Sequence, residues 1–82
     1  MVNVEFFGLY RLNYKMKECQ LDARNVLDLF GELNKMNPVY SVKELKNSIV
    51  IVNDVNINDL KKYRTKLREG DKVLIMSPAS GG

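Results

Sequence analysis

Val26, Leu29, Phe30, Leu33 and Met36 recur at helical spacing and define one apolar stripe. This is the clearest helix the chain can make. Asn25 precedes it as an N-cap, and Asp28, three residues on, can answer as in a capping box. Asn37-Pro38 ends it, because the residue before a proline avoids the helical region. Gly31 inside it costs about 1 kcal/mol relative to alanine. A single helix with one apolar stripe must lay that stripe on another layer. With 82 residues in all, the other layer has to be a sheet drawn from the rest of the chain.

The rest of the chain supplies one. Val2, Val4 and Phe6 alternate with Asn3, Glu5 and Phe7, which predicts a strand with one buried face, closed by Gly8. Residues 9–13 are expected to turn the chain, and a second strand is predicted over 14–21. Its alternation is poor, as a bulged or edge strand allows. Ser41 and Glu44 form a second capping-box pattern, starting one or two helical turns through Asn47. Ile49–Val52 is a β-branched strand and Asn53-Asp54 a turn signal. Val55–Ile57 reads as a short extension, and Asn58 as the cap of a brief helical turn over 59–63. Glu69-Gly70-Asp71 is a tight turn before a last strand, Lys72–Met76, which Pro78 stops. The expected fold is α+β, with a mixed four- to five-stranded sheet packed on one main helix plus a short helical turn. If the first and last strands are parallel neighbours, the helix lies in the crossover that joins them.

Composition removes most enzymatic readings. The chain has no histidine and one cysteine, Cys19, so Ser-His-Asp, Cys-His and zinc sets are absent. No Gly-rich phosphate loop is present, and the carboxylates are scattered. Cys19 reads as a small apolar filler. The longest aliphatic runs, Ile49–Val52 and Val73–Met76, fall far short of the ~20 residues of a membrane helix. No signal-peptide pattern opens the chain, and a cytoplasmic location is expected. The net charge of +3 comes with charges that alternate along most of the chain, so a spread of solvated lysines is the favoured reading.

The end of the chain carries the strongest functional signal. Residues 1–76 read as the folded domain and 77–82 as a flexible tail, Ser77-Pro78-Ala79-Ser80-Gly81-Gly82, with no large side chain. Six residues extend to about 20 Å. Gly81 and Gly82 carry no Cβ, so the backbone beside the terminal carboxylate can enter a narrow channel. An ionised carboxylate there can attack the α-phosphate of ATP, and a sulfur donor can displace AMP to leave a thiocarboxylate.

The stretch from Glu69 to Gly82 resembles the C-terminus of the small subunit of molybdopterin synthase, which shares the ubiquitin-like β-grasp with the thiamine sulfur carrier. Members of that family end in a Gly-Asp type turn, an apolar strand, one or two prolines and Gly-Gly. Val2-Asn3-Val4-Glu5-Phe6-Phe7-Gly8 with Arg11, and Val52-Asn53-Asp54, also look like family segments. Ser77, Asp54 and Met76 depart from it, standing where a proline, a glycine and an aromatic are common. The resemblance implies a carrier rather than an enzyme. Gly82 would be adenylated by a ubiquitin-activating-like enzyme using ATP, with no permanently bound cofactor and no metal. It would then be thiocarboxylated at the expense of a sulfur donor. The tail, Pro78, Ala79, Ser80 and Gly81 leading to Gly82, would enter a larger synthase subunit.

Alternation along the strands adds a docking face. Val73 and Ile75 belong to the core, so Leu74 and Met76 face outward, and Phe7 joins them if the first and last strands are parallel neighbours. Carriers for thiamine or tRNA thiolation and ubiquitin-like modifiers share this chemistry. A different class, an RNA-binding β-grasp module similar to TGS domains, fits the basic charge and the Gly-Asp turn. Its stacking platform is missing, because the aromatics are not grouped, and neither a nucleic acid nor a membrane is an expected partner.

Overall fold

In a computed structural model that describes residues 1–78, strand β1 (Val2–Phe7) buries Val2, Val4 and Phe6 and turns Asn3, Glu5 and Phe7 the other way. Gly8 then takes φ 64°, and the chain enters a helix rather than the expected turn: α1 spans Leu9–Tyr14. Tyr10 and Tyr14, four residues apart on one face, are its buried anchors. Phe6 stacks on Tyr14 at 4.7 Å between ring centroids, and Tyr10 meets Tyr40 edge-on at 4.6 Å. Tertiary burial of two tyrosines outweighs the weak local helix signal of this stretch.

The second strand is correspondingly shorter than expected. β2 covers only Glu18–Leu21, because Tyr14 belongs to the helix and Lys15 ends it at φ 59°. It pairs antiparallel with β1 on the outside of the sheet, as the edge reading requires.

Helix α2 spans Val26–Met36 and buries Val26, Leu29, Phe30 and Leu33, while Met36, assigned to the same stripe, is exposed at the helix end. Asn25 Oδ1 accepts from the Asp28 N–H at 2.7 Å. The reciprocal half differs from a capping box, since Asp28 Oδ2 accepts from the N–H of Arg24, one residue earlier. Helix α3, Val42–Leu45, has the full box between Ser41 and Glu44 and buries Leu45.

β3 (Ile49–Val52) and β4 (Val55–Asn56) flank a two-residue turn in which Asn53 and Asp54 have φ 48° and 72°. The helical turn expected over 59–63 is instead two 3-10 turns, Ile57–Asp59 and Lys62–Arg64. Asn56, not Asn58, caps the first, its side chain accepting from the Asn58 N–H at 2.9 Å. Gly70, at φ 84°, turns the chain into β5, Lys72–Met76.

The sheet order is β2-β1-β5-β3-β4. β1 and β5 are central and parallel; every other pairing is antiparallel. The core lies between the inner face of this sheet and α2, with Val4, Phe6, Leu29, Phe30, Leu33, Val73 and Ile75 fully buried. Each such side chain contributes about 1.5–3 kcal/mol of burial. Cys19 is half-buried against this core, and burial pushes its thiol pKa up, away from the reactive thiolate.

Candidate functional site

The site begins with the direction of β5. This strand starts at the Gly70 turn and runs through the middle of the sheet parallel to β1, so both strands finish at the same end of the molecule. Ser77 and Pro78 leave from there. Ala79, Ser80, Gly81 and Gly82, the segment to which the sequence assigns the chemistry, lie outside the described residues.

The root of the tail is built closely. Gly8 ends β1 directly beside Ser77, and a Cβ added to Gly8 would stand 3.1 Å from Ser77 Oγ. The left-handed φ of Gly8 and this approach both call for glycine. A shallow groove of about 310 Å³ borders Ser77 and Pro78, lined by Leu9, Tyr10, Tyr40, Glu44 and Asn47. Its wall is held by the Tyr10 hydroxyl, 2.7 Å from Ser48 Oγ. Burial raises the pKa of Tyr10, so the hydroxyl stays protonated at neutral pH. On the other side of Gly8 lies an open depression of about 730 Å³ lined by Arg11, Leu12, Lys15, Met16 and Lys17.

The outer face of the sheet supplies the expected docking residues. Phe7 lies in register with Met76 across the β1–β5 pair, and Glu5 with Leu74. Phe7, Leu74 and Met76 therefore share one face at the tail end of the sheet, all half-buried rather than fully exposed. Two residues that sequence reasoning missed complete it. Ile49 is opposite Met76 and Ile51 opposite Leu74 across the β3–β5 pair. The result is a row Phe7–Met76–Ile49 above a row Glu5–Leu74–Ile51. Period two puts Ile49 and Ile51 on the face opposite Val50 and Val52, but four consecutive β-branched residues do not mark which face is inward; the burial of Val50 and Val52 decides it. What the linear sequence lacks is the pairing of β3 with β5.

The β2 edge gives this apolar face an acidic border. Glu18 lies directly opposite Glu5. Among the described residues no group of three or more histidine, cysteine, aspartate or glutamate side chains is placed to hold a metal ion. Nor does any helix among them have the length and apolarity to cross a membrane. The described surface carries an apolar patch with an acidic rim, at the end where Ser77 and Pro78 leave the sheet.

The model of the ThiS family matches residues 4–82. No curated protein matches the chain. Several solved structures share its fold. The small archaeal modifier protein 1 from Methanosarcina acetivorans superposes with a TM-score of 0.85 at 24% identity, over 99% of this chain and 95% of its own. The BexX/CysO complex of Amycolatopsis orientalis contains a chain that matches with a TM-score of 0.77 at 18% identity, covering 100% of both chains. A Pyrococcus furiosus protein assigned as molybdopterin converting factor subunit 1 gives 0.73 at 22% identity, over 94% of this chain and 95% of its own. With the sheet order above, these likenesses make the fold a ubiquitin-like β-grasp.

Proposed function

The chain belongs to the ThiS family of small ubiquitin-like sulfur carriers, and from that premise we propose that it carries sulfur as a thiocarboxylate on Gly82 for the synthesis of molybdopterin. The observation that carries the reading is the convergence at one end of the sheet. The central strand β5 delivers Ser77 and Pro78 beside the apolar rows of the outer face. A partner that grips Phe7, Leu74 and Met76 thereby fixes the base of the tail, and its own active site needs to accept only the last four residues.

The chemistry proceeds in three steps, all in partner active sites. A ubiquitin-activating-like enzyme binds ATP, and a Gly82 carboxylate oxygen attacks the α-phosphorus. An O–P bond forms, pyrophosphate leaves, and the carboxyl is now an acyl-adenylate. A sulfide-level donor then attacks the acyl carbon; the C–S bond forms, the C–O bond to the phosphate breaks, and AMP leaves. The tail next enters a larger synthase subunit and transfers sulfur to a pterin precursor. The carrier contributes position, reach and the absence of Cβ atoms at Gly81 and Gly82. The likeness to a protein assigned as a molybdopterin converting factor subunit favours this acceptor.

The test is intact-protein mass spectrometry after incubation with ATP, a sulfide donor and the activating enzyme. The expected product is heavier by the exchange of one oxygen for one sulfur, and removal of Gly82 abolishes it. Unmodified full-length protein under conditions that adenylate a known family member overturns the proposal. Transfer of the sulfur to a pterin precursor by the synthase large subunit tests the acceptor separately.

A further inference from the structure

Residues 60–68 hold five cationic side chains, Lys61, Lys62, Arg64, Lys66 and Arg68, and no acidic one. The fold converts this stretch into a charged strap. From Arg64 to Arg68 exposure alternates: Arg64, Lys66 and Arg68 face solvent, while Thr65 and Leu67 are buried at 7% exposure each. The backbone is pinned in extended form to the start of α2. Val26 N–H donates to the Thr65 carbonyl at 3.1 Å, and Leu67 N–H to the Arg24 carbonyl at 2.9 Å. Lys66 and Arg68 thus stand on one side of an extended segment, about 6.6 Å apart at 3.3 Å per residue, and Arg64 precedes them from the second 3-10 turn. Arg24, on the paired segment, adds a fourth exposed cation.

These charges are largely uncommitted. None of the five forms an ion pair among the described residues, and Arg24 reaches Asp28 only at 3.8 Å. The carboxylates that follow the strap already have partners. Glu69 pairs with the N-terminal ammonium of Met1. Asp71 accepts from the Arg68 N–H at 2.8 Å and from Asn53 Nδ2 at 3.0 Å. The even spread of solvated charge expected from the sequence does not hold here.

We propose that this strap holds a nucleic-acid strand by its phosphodiester backbone. A regular line of cations on an extended chain can follow a line of phosphates, and the free energy comes from counterion release. Leu60, 42% exposed, is the one large apolar side chain open to solvent along residues 60–68, whereas the core of a protein interface groups several. Tyr63 is not free to stack on bases: its ring lies 6.0 Å from Phe30, and its hydroxyl donates to the Lys46 carbonyl at 2.7 Å. Recognition is therefore of phosphate rather than base, independent of sequence and of the 2′-hydroxyl.

The strap does not compete with the tail. Gly70 N–H donates to the Met1 carbonyl, which places the end of the strap at the start of β1. β5 then separates that end of the sheet from Ser77 by about 16 Å, five steps of 3.3 Å from Lys72. A nucleic acid on the strap leaves the apolar outer face open, and this inference does not depend on what Gly82 carries.

Fluorescence anisotropy with labelled single-stranded RNA and DNA 20-mers and a labelled poly-glutamate peptide, over a range of salt concentrations, tests it. The expected result is RNA and DNA binding alike, with a log–log salt slope of about −2 to −3.5 for three to five phosphate contacts at 0.7 each. Arg64→Gln with Lys66→Gln should flatten that slope by about 1.4. Lys35→Gln with Lys43→Gln, which removes the same net charge elsewhere, should leave the slope unchanged. All four positions are exposed, so folding is preserved, and thermal melts check that it is. No binding at low salt, equal weakening by the Lys35/Lys43 pair, or poly-glutamate binding as tightly as nucleic acid overturns the proposal.

Discussion

Gly8 and Ser77 stand side by side where β1 and β5 end: a Cβ at Gly8 would crowd Ser77 Oγ at 3.1 Å. Gly8 also sits at φ 64° and ψ −136°, a conformation side chains resist. Gly8→Ala is expected to destabilise the domain by about 1–3 kcal/mol. Because the strain falls on Ser77, the variant should also slow thiocarboxylation at a temperature where it remains folded. Urea denaturation and the mass assay on the same preparation check both effects.

The outer face predicts a separation of stability from binding. Met76 and Leu74 are half-buried and pack against their cross-strand neighbours rather than in the main core. Met76→Asp or Leu74→Asp should leave the chain folded yet weaken partner binding by about 30-fold, the equivalent of ~2 kcal/mol lost at an interface hot spot. Ile51→Asp should act in the same direction. Isothermal titration against the activating enzyme measures it; unchanged affinity in all three would remove the docking role of this face.

A gain in stability is expected at the β3–β4 turn. Asn53 and Asp54 both have positive φ, the geometry for which Asn-Gly is favoured. Asp54→Gly relieves an aspartate held at φ 72° and should stabilise by about 0.5–1 kcal/mol, read from the denaturation midpoint.

Tyr14 presents a buried cost. Its hydroxyl has no hydrogen-bond partner among the described residues, and burial drives its pKa far above the ordinary tyrosine value. The ring earns its place by stacking on Phe6, and Tyr14→Phe keeps that ring. The substitution is expected to be neutral or to stabilise by about 1 kcal/mol. A clear destabilisation in calorimetry would mean that the hydroxyl is satisfied after all.

Asp71 gives a pH dependence. The Arg68 N–H and then Asn53 hold its pKa below the ordinary 3.8. A carboxylate depressed in the folded state adds stability that is present above 3.8 and is lost as pH falls through the depressed value. Asp71→Asn should therefore reduce the loss of stability below about pH 4 and leave a smaller acid-induced drop in melting temperature. The group is partly exposed to solvent, so the effect is small, and identical acid profiles for both proteins would exclude it.

How much of this was legible in advance depends on whether the signal is local. Helix α2 and its Asn25 cap, the Ser41–Glu44 box, and strands β3 and β5 were all readable to the residue, because capping and periodicity involve neighbours a few positions apart. The inward and outward faces of β1 and β5 followed from period two alone. Helix α1 was not readable. Its six residues form a helix because Tyr10 and Tyr14 are buried against Phe6 and Tyr40, contacts that become available only once β1 and α3 are in place. The loss of Tyr14 from the second strand is the same event seen from the other side.

The candidate site divides in the same way. The sequence by itself determined α2, β3 and β5, the diglycine end and the outward direction of Leu74 and Met76, since each is a property of consecutive residues. Tertiary structure alone decided that Ile49 and Ile51 stand beside them, that Gly8 closes on Ser77, and that cations from two segments line one strap. Strand order and register bring together residues separated by tens of positions, and chain closure over such distances is settled by the whole core rather than by any local pattern.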